Sequence, residues 1–223
     1  MMKMVTNRAF TMIELVFVIV IVGILASLAI PRLERNGAKE AAEQILSHIR
    51  YTQHLALQDD KFSISEKEWY KGRWRIYFNS MTEGSDIIWR YVVFYDMRGV
   101  KDFSGNPNNG IVNIANDPSK PGGKLIDKFQ KQSIPEKARN KNLNLTKRYG
   151  IGGKYGVITS KECNGNTIAF DNIGRPYSAL QKSKGPYDKL LKKECIVALK
   201  DNAGHQAKIH IEPETGFAYI TYN

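Results

Sequence analysis

One long apolar run near the amino terminus constrains the fold of this chain more than any other feature of the sequence. Residues 10–30 contain a single charged side chain, Glu14, and Pro31 follows them. As a helix rising about 1.5 Å per residue, the run would measure about 31 Å, enough to cross the hydrocarbon core of a bilayer. Lys3 and Arg8 precede it without any acidic residue, a charge pattern that holds the amino end in the cytoplasm. The sequence therefore predicts a transmembrane helix over residues 10–30, with the remaining chain outside.

Glu14 is out of place in a plain membrane anchor. A carboxylate at the centre of a bilayer costs roughly 2.5–3.5 kcal/mol, and less near the headgroups. A cut after Ala9 would supply a partner, because Phe10 would then carry an α-amino group four residues away on the same helix face. Glu14 would neutralise its own amine or that of a neighbouring subunit. The alternative is a tolerated charge close to the headgroups.

The segment from Ala9 to Leu15 resembles the type IV prepilin signal shared by pilins and type II secretion pseudopilins, together with the short basic leader before it and Pro31 after it. The resemblance implies that a membrane-embedded prepilin peptidase removes the leader, residues 1–9, and N-methylates the new amino terminus at Phe10. Ala9 stands where the family usually has Gly. The resemblance also implies that Glu14 guides assembly into a filament and that Pro31 kinks the helix.

An ordinary secretory signal is the competing interpretation of the same segment. Its small-residue cleavage site would lie at Ser27, Leu28 and Ala29. This interpretation leaves Glu14 unexplained, and the apolar run is longer than the hydrophobic region of a usual signal peptide.

Residues 31–58 continue with the period of an amphipathic helix. One face carries small and aliphatic residues at the i, i+3, i+4, i+7 spacing: Ala38, Ala41, Ala42, Ile45, Ile49, Thr52 and Ala56. Pro31 and Gly37 are the expected bends. Together with residues 10–30, this pattern predicts one long helix of about 70 Å that ends near Gln58.

From residue 59 onward the pattern changes to short strands. Aromatic and β-branched runs separated by Gly, Asn and Asp predict strands at 74–78, 87–95, 143–145, 155–159, 167–170, 196–200, 207–211 and 218–221. The last three read as an antiparallel meander. The expected fold is therefore α+β and pilin-like, with the long helix, half transmembrane and half amphipathic, packed against antiparallel sheets in a globular domain, residues 59–223.

This body also resembles the H-type minor pseudopilins, the GspH/FimT group. The resemblance is carried by Gly72–Phe78, Ile168–Arg175 and Gly216–Ile220. It implies a long helix that carries antiparallel sheets, in a subunit at or near the filament tip.

The chain contains two cysteines, Cys163 and Cys195. Outside the cytoplasm they would lie in a compartment that permits disulfides. A bridge would close a loop of about 33 residues, which the chain-entropy model values at roughly 3–4 kcal/mol. A disulfide is the favoured interpretation, and two unpaired thiols are the alternative.

Residues 119–161 carry eleven Lys and Arg against two acids, Asp127 and Glu136. The segment has a net charge of 11 − 2 = +9. The whole sequence has a net charge of +11, and removal of a leader with two basic residues leaves 11 − 2 = +9, so the net charge of this segment equals that of the processed chain. Such a charge density attracts DNA, acidic lipid or acidic polysaccharide. The cations expected to bind a polyanion are Lys137, Arg139, Lys141, Lys147, Arg148 and Lys154. A solvated loop that keeps the domain soluble is the alternative.

Sequence motifs for catalysis, cofactors or metals are not found. The segment Gly150–Lys154 fails the phosphate-loop pattern, and no Gly-x-Ser-x-Gly or HExxH occurs. A calcium loop at Asp96, Asp102, Asn106 and Asn108 is a minor alternative, since their spacing misses that of an EF-hand. We expect no enzyme activity, no cofactor and no metal, with a membrane-anchored enzyme as the alternative.

The sequence favours a structural and interaction protein: a minor pseudopilin subunit of a bacterial type II secretion system. It would be cut after Ala9, held in the inner membrane with its globular domain in the periplasm, and assembled through its amino-terminal helix into a periplasmic pseudopilus. The implied partners are other pilin or pseudopilin subunits, the prepilin peptidase and the inner-membrane assembly platform. The alternative is a minor pilin of a type IV pilus that acts in DNA uptake or adhesion through a basic surface.

Overall fold

The computed structural model of the protein describes residues 11–29, 35–97, 103, 105–107, 112–129 and 134–222. These residues belong to two compact units, Met1–Arg35 and Asn36–Asn223. The leader, the expected cleavage site at Ala9 and Phe10, and the expected kink at Pro31 lie outside the described residues.

The described part of the first unit contains one helix, α1 (Met12–Ala29). Within the described ranges, no helix combines the length and the apolar character needed to cross a membrane. The prediction of a transmembrane helix over residues 10–30 is therefore wrong.

The second unit begins with α2 (Gly37–Gln58), which has an amino terminus of its own. The side chain of Asn36 accepts a hydrogen bond from the backbone N–H of Lys39 at 2.8 Å. Oδ2 of Asp201 accepts from the N–H groups of the first two helical residues at 3.1 and 3.3 Å. Because these acceptors satisfy N–H groups that a helix cannot pair internally, α2 starts at Gly37. The prediction of one continuous helix of about 70 Å is therefore also wrong.

The apolar stripe predicted for residues 31–58 is the buried face of α2. All seven residues of that stripe are buried, and the same face also buries His48. This agreement follows from the helical period, which brings residues three and four apart onto one side.

Two antiparallel sheets complete the second unit. The strands are β1 (Arg75–Glu83), β2 (Asp86–Asp96), β3 (Val112–Ile114), β4 (Val157–Thr159), β5 (Thr167–Phe170), β6 (Pro176–Tyr177), β7 (Cys195–Lys200), β8 (Gln206–Ile211) and β9 (Ala218–Tyr222). The first sheet has the order β3-β2-β1-β5-β6 and the second the order β4-β7-β8-β9. The antiparallel sheets and the closing meander β7-β8-β9 agree with the sequence analysis.

Residues 143–145 were predicted as a strand and do not form one. Leu143 ends a 3₁₀ turn, and Leu145 begins a short helix, α3 (Leu145–Tyr149). The side chain of Asn144 accepts from the N–H of Lys147 at 3.0 Å and so caps α3. Both leucines are buried, as the alternating pattern predicts. The extended backbone predicted between them is wrong.

One core lies between α2 and the sheets, and the disulfide belongs to it. Cys163, in the 3₁₀ turn Lys161–Cys163, is bonded to Cys195 at the start of β7, and both residues are fully buried. The bond therefore ties the connection between β4 and β5 to the second sheet.

Asp201 joins the amino terminus of α2 to the turn between β7 and β8. In addition to its bonds to α2, its Oδ2 lies 2.9 Å from Nδ1 of His205, and its Oδ1 accepts from the N–H groups of Ala203 and His205. We expect Asp201→Ala to lower the free energy of unfolding by about 2 kcal/mol, because buried N–H groups lose their acceptor. Urea denaturation at neutral pH measures this change. Asp86→Ala, at an exposed carboxylate, is the control, and an equal loss in both variants would contradict the capping role.

Candidate functional site

Glu14 closes the first turn of α1. Its Oε2 accepts from the backbone N–H of Thr11 at 3.4 Å and from the Thr11 hydroxyl at 3.5 Å, and Oγ1 of Thr11 accepts from the N–H of Glu14 at 3.3 Å. This reciprocal pairing is a capping box of the form Thr-x-x-Glu. Sequence reasoning missed this local role, although the motif is visible in residues 11–14. The predicted partner of Glu14, an amine on Phe10, lies outside the described residues.

The described side chains of α1 provide no polar face. Taken by itself, the helix is apolar on every side, with Glu14 in its first turn and Ser27 near its end as the polar residues. The Ser27 hydroxyl donates to the carbonyl of Ile24 at 2.7 Å, so it is satisfied within the helix. A contiguous apolar surface of this extent marks an interaction site.

Five of the six cations expected to bind a polyanion line two adjoining clefts in the second unit. The first cleft has a volume of about 580 Å³ and includes Arg139, Lys141, Lys147 and Arg148. The second has a volume of about 640 Å³ and includes Lys137, and it shares Arg139 and Lys141 with the first. The basic segment is therefore folded around two cavities.

Lys154 is the sixth expected cation, and it lines neither cleft. Its ammonium lies 5.4 Å from the ring centroid of Tyr155. The structure therefore separates Lys154 from the other five.

Short capped turns hold the walls of the first cleft in place. The side chains of Asn140 and Asn144 accept from the backbone N–H groups of Asn142 and Lys147, at 2.9 and 3.0 Å. The Asn140 amide also donates to Oδ2 of Asp117 at 2.6 Å. Asn is favoured at such positions because its side chain satisfies backbone donors that the turn leaves free.

Arg90, on β2, forms the floor of the first cleft, and its side chain is 1% exposed. It donates to Oε1 of Glu83 and to the carbonyl of Lys128, the latter at 3.0 Å. Its Nε lies 3.5 Å from Oδ2 of Asp127 but makes no hydrogen bond within the described parts of the chain. The hydrogen bond from Arg90 lowers the pKa of Glu83, which keeps that carboxylate charged near neutral pH.

Six cations and three carboxylates line the first cleft. Each carboxylate pairs with a cation of the same cleft: Glu83 with Arg90 and Lys147, Asp127 with Arg90, and Glu136 with Lys141. Among the described residues, no carboxylate forms an ion pair with Lys128, Arg139 or Arg148. The cleft thus has an excess of three positive charges, carried by groups without an acidic partner in the described structure.

A hydrogen-bond network that runs from the core to the surface connects α2 to the wall of this cleft. The Gln44 amide donates to the Tyr91 hydroxyl at 2.7 Å and to the carbonyl of Asn142 at 3.1 Å, and it accepts from the Tyr149 hydroxyl at 2.6 Å. Nδ1 of His48 lies 2.7 Å from the same Tyr91 hydroxyl. Burial lowers the pKa of His48 to about 4, while the charge of Asp117 opposes that shift. His48 is therefore neutral at physiological pH.

Two side chains of the second sheet and one from the segment before β7 have the atom order of a charge-relay triad. Oε1 of Glu194 lies 2.8 Å from Nδ1 of His210, whose Nε2 lies 2.8 Å from Oγ1 of Thr221. A nucleophile needs an enclosed site with donors for the developing oxyanion, and these residues line neither the first nor the second cleft. Their evident role is to link β8 and β9 to the segment that precedes β7.

Asp96, the first residue of the minor calcium alternative, has other partners. Its Oδ2 accepts from the N–H of Gly105 at 2.7 Å and lies 3.5 Å from a guanidinium nitrogen of Arg75, which is also buried. Asp102 and Asn108 lie outside the described residues. A search of the described part of the chain found no group of three or more His, Cys, Asp or Glu side chains that could hold a metal ion.

Comparisons with protein-family models, with characterised proteins and with solved structures find no match to this chain. The resemblance to prepilin signals therefore depends on the amino-terminal residues themselves and stays a prediction.

Proposed function

We propose that the chain is a pilin-like subunit, of the minor pseudopilin kind, that joins a filament of a bacterial secretion system through α1. The observation that supports this most directly is a helix that is apolar on every side and carries one charge, Glu14, in its first turn. Such a helix is stable in water only when another apolar surface covers it. In a self-assembling filament, the same helix of neighbouring subunits provides that surface.

Glu14 gives this association its specificity. A charged carboxylate buried between apolar helices is costly unless a cation lies beside it. Cleavage after Ala9 by a prepilin peptidase would create that cation as the amino group of Phe10. The capping box explains how Glu14 is oriented before assembly, because the carboxylate already points back along the chain toward Thr11.

The disulfide between Cys163 and Cys195 supports a location outside the cytoplasm for the second unit. Structural disulfides persist in oxidising compartments and are rare in the cytosol. This is the compartment in which a pseudopilus would assemble, with other subunits and the inner-membrane assembly platform as partners.

Glu14→Gln tests the proposal. The amide retains an oxygen that can accept from Thr11 but removes the charge, so we expect incorporation into filaments to fall at least tenfold, about 1.4 kcal/mol for one lost charge contact. The measurement is the fraction of tagged chain that co-sediments with sheared filaments. Mass spectrometry of the amino terminus, with methylated Phe10 as the expected species, confirms that both proteins are processed.

Thr11→Val is the matched control, since it removes the hydroxyl of the capping box and leaves the charge of Glu14. We expect this variant to be incorporated nearly as well as the wild type. Equal incorporation of Glu14→Gln and the wild type would contradict the proposal. An equal loss in both variants would assign Glu14 to helix capping alone.

A further inference from the structure

We propose that the first cleft, around Arg90, Arg139 and Arg148, binds a small ligand of about nucleotide size that carries two or more phosphate groups. This inference concerns the second unit alone and does not depend on filament assembly.

The first argument is the shape of the site. The cations without an acidic partner come from three separate segments: Lys128 follows β3, Arg139 follows a 3₁₀ turn, and Arg148 lies on α3. Nε of Arg139 donates to the carbonyl of Ile134 at 2.9 Å. All three line one cavity of about 580 Å³, within the range of about 300–1,000 Å³ typical of small-molecule sites. Separate segments that surround one cavity favour a compact ligand over an extended polymer.

The second argument is the charge. The excess of three positive charges matches the roughly three negative charges of a diphosphate near neutral pH. Guanidinium groups bind phosphate oxygens through paired N–H donors, which suits Arg139 and Arg148 to this role. Asn142, exposed at the junction with the second cleft, can bond a neutral part of the ligand.

The third argument is the support beneath the site. Arg90 holds the backbone of Lys128 through its carbonyl and orients Glu83, which in turn pairs with Lys147 at 3.4 Å. A fully buried cation is costly, and the hydrogen bonds to Glu83 and to the Lys128 carbonyl offset that cost. We therefore assign Arg90 as a positioning residue and Arg139, Arg148 and Lys128 as contacts to phosphate.

The test is calorimetric titration of the full chain, in a non-ionic detergent that shields α1, with inorganic pyrophosphate as the probe. Arg139→Gln should weaken binding at least tenfold, because it removes a charge-assisted contact inside the cleft. Lys154→Gln removes the same charge from the same basic segment but outside both clefts, and should change affinity less than twofold. Arg148→Gln, at an exposed position, provides a second variant if Arg139→Gln does not fold.

Each outcome decides the question. Saturable binding of pyrophosphate that is weakened in the cleft variants and preserved in Lys154→Gln supports the site. Equal weakening in all variants would show diffuse attraction, and absence of binding would overturn the proposal. Binding of a 20-base-pair DNA duplex that pyrophosphate does not displace would assign the basic segment to an extended polyanion instead.

Discussion

Acidification from pH 6.5 to about pH 4 is expected to lower the free energy of unfolding by about 3 kcal/mol through one side chain, His48. The pKa of His48 is about 4 in the folded chain, against an ordinary value of 6.5. Between these values the unfolded chain binds a proton that the folded chain does not, so stability falls as pH falls. Above pH 6.5 both states are neutral at this position, and the contribution of His48 is constant.

The physical cause is burial on α2. The His48 side chain is 9% exposed and lies against the hydroxyl of Tyr91, within the core that α2 shares with β2. A proton on the ring would place a charge in that core, and the negative charge of Asp117 offsets only part of the cost.

Urea denaturation between pH 7 and pH 4 measures the effect. His48→Asn places an amide near the position of Nδ1 and does not titrate, so its stability should fall less steeply over this window. His54→Asn makes the same change at an exposed histidine of the same helix, and should follow the wild type. If the free energy of unfolding of His48→Asn fell with pH as steeply as that of the wild type, the loss of stability would have to be assigned to carboxylates.

The parts of the fold that could be predicted are those set by a local period. The buried stripe of α2 and the three strands of the closing meander each follow from the spacing of apolar residues. The start of a separate helix at Gly37 could not be predicted. One of the side chains that accept hydrogen bonds from the first N–H groups of α2 is Asp201, which is about 160 positions away in the sequence. The strand predicted at residues 143–145 is also wrong. Two leucines that alternate with a polar residue indicate a strand, but the polar residue, Asn144, caps a helix.

The residues of the candidate site were predicted only from the density of basic residues along the sequence. Charge density along residues 119–161 identified five cations that line the clefts, together with Lys154, which lines neither of them. It missed Arg90, which forms the floor, because that residue is about 30 positions away and reaches the cleft through the packing of β2. A signal was present, since an arginine within an apolar strand such as 87–95 must find acidic or carbonyl partners.

Removal of the disulfide is expected to lower the free energy of unfolding by about 3–4 kcal/mol, the largest effect predicted for this chain. Cys163 and Cys195 are 32 residues apart, and a cross-link over that distance restricts the unfolded chain in the chain-entropy model. Both side chains are fully buried in the main core, and two hydrogen bonds between Ser160 and Ile196 also join the connection between β4 and β5 to β7.

Urea denaturation of the oxidised and the reduced wild-type protein measures this difference without any substitution. The double variant Cys163→Ala and Cys195→Ala should lose at least as much as reduction does, because the missing sulfur atoms also leave small cavities. The denaturant slope should rise on reduction, since an unfolded chain without the cross-link exposes more surface. A loss below about 1 kcal/mol would mean that the core alone holds the connection between β4 and β5. Affinity for pyrophosphate, measured under conditions where the reduced protein stays folded, should not change, because neither cysteine lines the first or the second cleft.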